Sequence, residues 1–157
     1  LSADGSIAIS GGWDCIVRVW RAQTGECLRV LSHHNDGIGA VAVSPKGTLG
    51  ASGGWDGAIT LFDLDTGTVR ARLAATTGAI TALRFSHDGS LLFSAGMDGI
   101  VRIWRTATGE LELAVTGHVG AIHALDCTAD SRFLATAGAD GTARVIQLDY
   151  TYAQPND

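Results

Sequence analysis

The sequence predicts an all-β chain built from about four repeats of a four-stranded antiparallel sheet, and three observations carry that prediction. A short phrase returns at a fixed interval: Gly-Gly-Trp-Asp ending at Asp14 and at Asp56, Ala-Gly-Met-Asp ending at Asp98, and Ala-Gly-Ala-Asp ending at Asp140, each Asp 42 residues after the last. A period of roughly 40–45 residues carried without insertion marks a stacked array. Each phrase is followed by a short run that is mostly β-branched or aromatic, such as Ile16-Val17-Arg18-Val19-Trp20. Finally, 21 glycines against 2 prolines in 157 residues suit many tight turns between short strands, and no helical periodicity competes.

Aligned on the four Asp residues, every repeat reads as strand, turn, strand, Asp turn, strand, Thr-Gly turn, strand. First strands are expected at 38–44, 80–86 and 122–128, and the counterpart of the opening repeat would precede Leu1. The turns Asp4-Gly5, Lys46-Gly47, Asp88-Gly89 and Asp130-Ser131 follow. Their second residue is expected at positive φ, which glycine adopts freely and Ser131 only under slight strain. Second strands at 7–10, 49–52, 91–94 and 133–136 lead into the Asp turns, and third strands occupy 16–20, 58–62, 100–104 and 142–146. Thr24-Gly25, Thr66-Gly67 and Thr108-Gly109 reverse the chain into fourth strands such as 27–31 and 69–73. After 149 the pattern decays, so 150–157 reads as a polar tail or the start of another segment.

These residues resemble the Trp-Asp (WD) repeat β-propellers over 1–149. The resemblance rests on Ser44-Pro45-Lys46-Gly47, Ser86-His87-Asp88-Gly89, Gly117-His118, the Asp turns, Val17-Arg18-Val19-Trp20 and Val101-Arg102-Ile103-Trp104. It implies four-stranded blades around a central channel. It also implies, in each blade, a bracing network of a His, a Ser or Thr, the turn Asp and a Trp. The sets here are Ser10, Asp14 and Trp20; His34, Ser52 and Asp56; Ser94, Asp98 and Trp104; and His118, Thr136 and Asp140. None is complete: Phe62 and Ile146 replace Trp, Thr76 replaces His, and the first His would lie ahead of Leu1.

His, Ser and Asp together invite comparison with a catalytic triad. A triad is needed once, beside an oxyanion hole, whereas this grouping recurs with the period of the fold. Buried polar groups that satisfy one another also avoid a cost of about 1–3 kcal/mol each, so a structural role is expected and no catalytic residue is assigned. His33 and His34 are adjacent, and His87, His118 and His123 show no ligand spacing, so neither a metal nor another cofactor is expected.

A net charge of −5 with 11 scattered basic residues disfavours direct nucleic-acid binding and attraction to an anionic membrane. Cys15, Cys27 and Cys127 are odd in number and far apart, which suggests a reducing, intracellular setting, cytoplasmic or nuclear. Cys127 aligns with Val43 and Phe85 and is expected in the core, whereas Cys15 stands where the other repeats carry glycine. No apolar run reaches the 18 or so residues of a membrane span, and an opening Leu1 reads as a piece of a longer protein.

The resemblance places partners on the face carrying the Asp turns. The residues before each Asp are Trp13, Trp55, Met97 and Ala139, and a second set at the start of the first strands is Gly39, Thr81 and His123. Large aromatics among small residues have the composition of an interface hot spot, although each Trp could equally lean on the neighbouring blade. Without Arg or Lys at these positions, phosphopeptide recognition is not expected. A seven-bladed ring would need about 294 residues at this period, so the remaining blades must come from elsewhere, and the isolated segment is expected to be poorly soluble. The reading is a non-enzymatic scaffold for protein–protein interaction within a larger complex. The alternative is a regulatory propeller fused to a catalytic domain, such as a kinase or hydrolase, outside this segment.

Overall fold

A computed structural model describes residues 1–76 and 78–148. The last residue of the expected array, Asp149, and the expected tail at 150–157 lie outside the described residues. Within them the chain forms strands and no helix. The first sheet is β1 (Ile7–Gly11), β2 (Val17–Arg21) and β3 (Glu26–Leu31). The second is β4 (Ile38–Val43), β5 (Leu49–Gly54), β6 (Ala58–Asp63) and β7 (Val69–Ala74). The third is β8 (Ile80–Phe85), β9 (Leu91–Gly96), β10 (Val101–Arg105) and β11 (Leu111–Val115), and the fourth is β12 (Ile122–Cys127), β13 (Phe133–Gly138) and β14 (Ala143–Gln147). All four are antiparallel, with neighbours paired in chain order.

The first strands end one residue earlier than expected, and the cause is a side chain. Ser44, Ser86 and Thr128 accept on their hydroxyls the N–H of Leu49, Leu91 and Phe133 at 3.0, 2.9 and 3.1 Å, which closes the turn in place of strand pairing. The second residue of each of these turns has positive φ as expected, 70° at Gly5, 66° at Gly47, 77° at Gly89 and 56° at Ser131. Cys15 shares the left-handed conformation, at φ 62°, with its equivalents Gly57, Gly99 and Gly141.

The core follows from the two-residue period of a strand. In β6, Ile59 and Leu61 point to the third sheet while Phe62, with Leu64 beyond the strand, points to the first. In the third sheet, Leu92 and Trp104 face back, whereas Phe93, Ala95, Val101 and Ile103 face forward onto Ile122 and Leu134. Three apolar clusters thus form, each drawn from two consecutive sheets. This two-sided burial explains why β5 and β9 are almost wholly buried, while β14 on the fourth sheet leaves Val145 73% exposed. Consecutive sheets meet through their inner strands, β4 on β8 and β8 on β12, with β1 on β4. The fit is close: a Cβ at Gly53 would come 2.3 Å from Ile80 Cγ2.

Candidate functional site

Two layers of side chains occupy the end of the sheets that carries the Asp turns. The lower layer is the polar network. His34 lies in the entrance to β4, where Nδ1 is 3.1 Å from Asp56 Oδ1 and Nε2 is 2.8 Å from Ser52 Oγ. His118 repeats this with Asp140 at 3.0 Å and Thr136 at 2.9 Å. The remaining sheets use the other ring: Trp20 Nε1 donates to Ser10 Oγ at 3.0 Å, and Trp104 Nε1 to Ser94 Oγ at 2.9 Å. Glycine makes room for the imidazoles, since a Cβ at Gly54 or Gly138 would meet Nδ1 of His34 or His118 at 2.6 and 2.4 Å.

Each turn Asp closes its own turn. Asp56 accepts the N–H groups of Ala58 and Asn35, and Asp140 those of Thr142 and Val119. Burial raises the Asp56 carboxyl, but these N–H bonds and His34 outweigh it, and the net effect lies below the usual range. The Thr142 hydroxyl and the Val119 N–H hold Asp140 lower still. Asp98 is likewise lowered against burial by Arg102 and by the hydroxyl of Thr76, the residue that stands in place of His.

Sequence reasoning missed a second partner of these carboxylates. Arg18 pairs with Asp14 at 2.8 Å and Arg102 with Asp98 at 2.7 Å, and Arg144 lies 3.9 Å from Asp140. The signal was present as Asp-x-x-x-Arg in three of the four copies, with Thr60 in the remaining one. The order Asp, His, Ser within hydrogen-bonding reach is that of an activated nucleophile. Ser52, however, is fully buried and Thr136 nearly so, and each oxygen is already bonded to an imidazole as part of the repeating network.

The upper layer is apolar. Trp55, Met97 and Ala139 donate their N–H groups to the carbonyls of Gly37, Ala79 and Ala121 at 2.8, 3.0 and 2.8 Å, so the backbone fixes where these side chains start. Trp13 is 75% exposed and Trp55 39%, and their rings meet with centroids 5.0 Å apart at 39°. Both rest on glycine. A Cβ at Gly37 would stand 2.7 Å from Trp13 Cε3, and one at Gly39 would lie 3.5 Å from Trp55 Nε1. The indoles therefore lean on a neighbour and remain open to solvent at once.

The other expected contact residues are placed differently from one another. Met97 is 45% exposed above Gly78, and His123 is exposed. Gly39, Thr81 and His123 are the bulged residues of β4, β8 and β12, and a bulge re-aims its side chain. That sends the Thr81 hydroxyl onto the Ile122 carbonyl of the next sheet, with the Ala95 carbonyl 3.2 Å away. Thr81 thus ties the third sheet to the fourth.

At the opposite end, a cleft of about 320 Å³ is lined by Val43, Leu83, Arg84, Phe85, His87 and Cys127. Cys127 packs on the core as expected, and burial pushes its thiol up, away from the nucleophilic form. Among the described residues no group of three metal-ligating side chains occurs, and no helix is long and apolar enough to cross a membrane.

Four successive antiparallel sheets, each closed by an Asp turn and braced by a hydroxyl bonded to a ring nitrogen, define a WD-repeat array of the β-propeller kind. The family model described as WD domain, G-beta repeat matches residues 1–21, 25–63, 67–105 and 109–147, and the chain belongs to that family. Each of the last three matched segments opens on the outermost strand of one sheet, β3, β7 or β11, and closes on the third strand of the next. No curated protein matches the chain. Repeats of this family generally mediate protein–protein interaction and are typically non-catalytic.

Proposed function

We propose that this protein is a non-enzymatic interaction platform within a larger intracellular complex, and that the Trp13–Trp55 pair anchors an apolar peptide segment of its partner. The observation that carries the reading is that two indoles in tilted contact are held by glycines at the surface, where they remain accessible. A large, rigid aromatic loses little entropy on contact and contributes most when desolvated in a pocket of the partner. Met97, the third sheet's equivalent of the two indoles, is also exposed, as is His123 at the start of β12. Thr81, with its hydroxyl turned to Ile122, can offer only its carbon atoms. The polar network beneath supports this division, because its Ser52, Ser94 and Thr136 hydroxyls are buried and paired.

The test is selection from a random peptide display library against the full-length chain and its Trp13→Ala/Trp55→Ala variant. Peptides rich in aromatic or aliphatic residues should be recovered by the parent and lost on the variant. Recovery of the same peptides by both would remove the indoles from recognition.

A further inference from the structure

The indole pair has an electrostatic setting that its apolar character does not require. Asp36 directly precedes the glycine on which Trp13 rests. Its exposed carboxylate accepts the Gly37 N–H at 2.7 Å, and among the described residues no cation pairs with it. Asp56 follows Trp55 directly and is held ionised by N–H bonds from Asn35 and Ala58. The basic groups nearby are engaged: Arg18 on Asp14 at 2.8 Å, and Arg72 on the His33 carbonyl at 2.5 Å. Burial, with Arg72 and His34 beside it, lowers the His33 imidazole toward the neutral form. The platform therefore carries two exposed π-faces and net negative charge on a chain of net charge −5.

We infer that the segment docked on this face carries an arginine beside its apolar anchor, with the guanidinium lying on Trp13 and bonded to Asp36. This rests on the docking face proposed above and names the chemistry of its occupant. A guanidinium is planar and weakly hydrated, so it can stack on an indole while its edge donates to a carboxylate. Lysine offers a point charge that stays hydrated and stacks less well. The more exposed ring, Trp13, takes the arginine, and the less exposed Trp55 with Met97 takes the apolar neighbour.

The experiment is titration of the full-length chain with a fluorescent seven-residue peptide of leucine and serine bearing one central arginine, beside copies carrying citrulline or lysine there. Citrulline keeps the shape and removes the charge. The arginine peptide should bind about tenfold tighter than the citrulline copy, as expected for a desolvated cation on an indole. Asp36→Asn keeps an acceptor for the Gly37 N–H, and it should erase most of that advantage while leaving the citrulline peptide unaffected. Equal binding of arginine and citrulline peptides, or an arginine advantage untouched by Asp36→Asn, overturns the inference. In that event, citrulline-peptide binding that still falls on Trp55→Ala leaves the docking face standing. If no peptide binds, including an all-apolar leucine and phenylalanine copy, both readings fall.

Discussion

The Nε2 atom of His34 lies 2.8 Å from the Oγ of Ser52. In the next sheet the equivalent hydroxyl, Ser94, is reached instead by Trp104 Nε1 at 2.9 Å. Each of these hydroxyls thus meets one ring nitrogen, from imidazole in the second and fourth sheets and from indole in the first and third. Trp104 can only donate to Ser94, whereas His34 holds Ser52 with one ring nitrogen and Asp56 with the other.

Removing the two kinds of ring should therefore have unequal cost. His34→Ala strands the buried Ser52 hydroxyl and removes one of the three partners of Asp56, and should lower unfolding free energy by about 2–4 kcal/mol. Trp104→Phe strands Ser94 alone while keeping most of the packing, and should cost about 1–2 kcal/mol. Urea unfolding of both variants checks the order.

Restoring the missing ring in the third sheet should stabilise it. In Thr76→His the imidazole would stand between Asp98 and Ser94, and Ser94 could donate to it while still accepting from Trp104. A gain of about 1 kcal/mol in urea unfolding is expected. A loss would mean that Arg102 and Thr76 already fill the space around Asp98.

Acid should unfold the protein through its turn carboxylates. Asp56, Asp98 and Asp140 are held below their ordinary pKa, and Asp63 is brought down to about 2 by the Thr66 N–H and Arg70. A depressed folded-state pKa means the unfolded chain binds more protons. Its stabilising effect is full above about pH 5 and fades as pH falls through the folded value, so stability should drop between about pH 4 and 2. Asp140→Asn should be less stable at neutral pH and show a shallower acid slope in urea titrations at several pH values.

The backbone at Cys15 predicts a stabilising substitution. At φ 62° a side chain is strained, and the equivalent positions hold Gly57, Gly99 and Gly141. Cys15→Gly should gain up to about 1 kcal/mol, or roughly 2–4 °C in melting temperature for a chain of this length. Ser131→Gly should gain less, because the Ser131 hydroxyl accepts the His87 N–H at 3.0 Å between the third and fourth sheets.

Most of the fold could be read from the sequence because it is periodic: the Asp spacing gave the sheets, and the glycines before each strand gave the left-handed turns. The missing network members, Phe62, Thr76 and Ile146, were equally visible. What was not visible depends on contacts between repeats. Phe62 is accommodated by Gly50, where a Cβ would come 2.4 Å from the ring, and no local pattern links the two. Thr81 looked like a surface residue because alignment shows position and not the bulge that turns its hydroxyl onto Ile122. Asp36 escaped notice because it belongs to a loop whose relation to Trp13 is set by packing across two sheets.

The division between a folding layer and a recognition layer is tested most directly by Trp13→Ala/Trp55→Ala, with unfolding free energy and peptide affinity measured on the same preparation. Unfolding free energy within about 1 kcal/mol of the parent, together with loss of binding to the library-selected peptides, is the expected result. Retained binding, or loss of binding that merely tracks a large loss of stability, would contradict it.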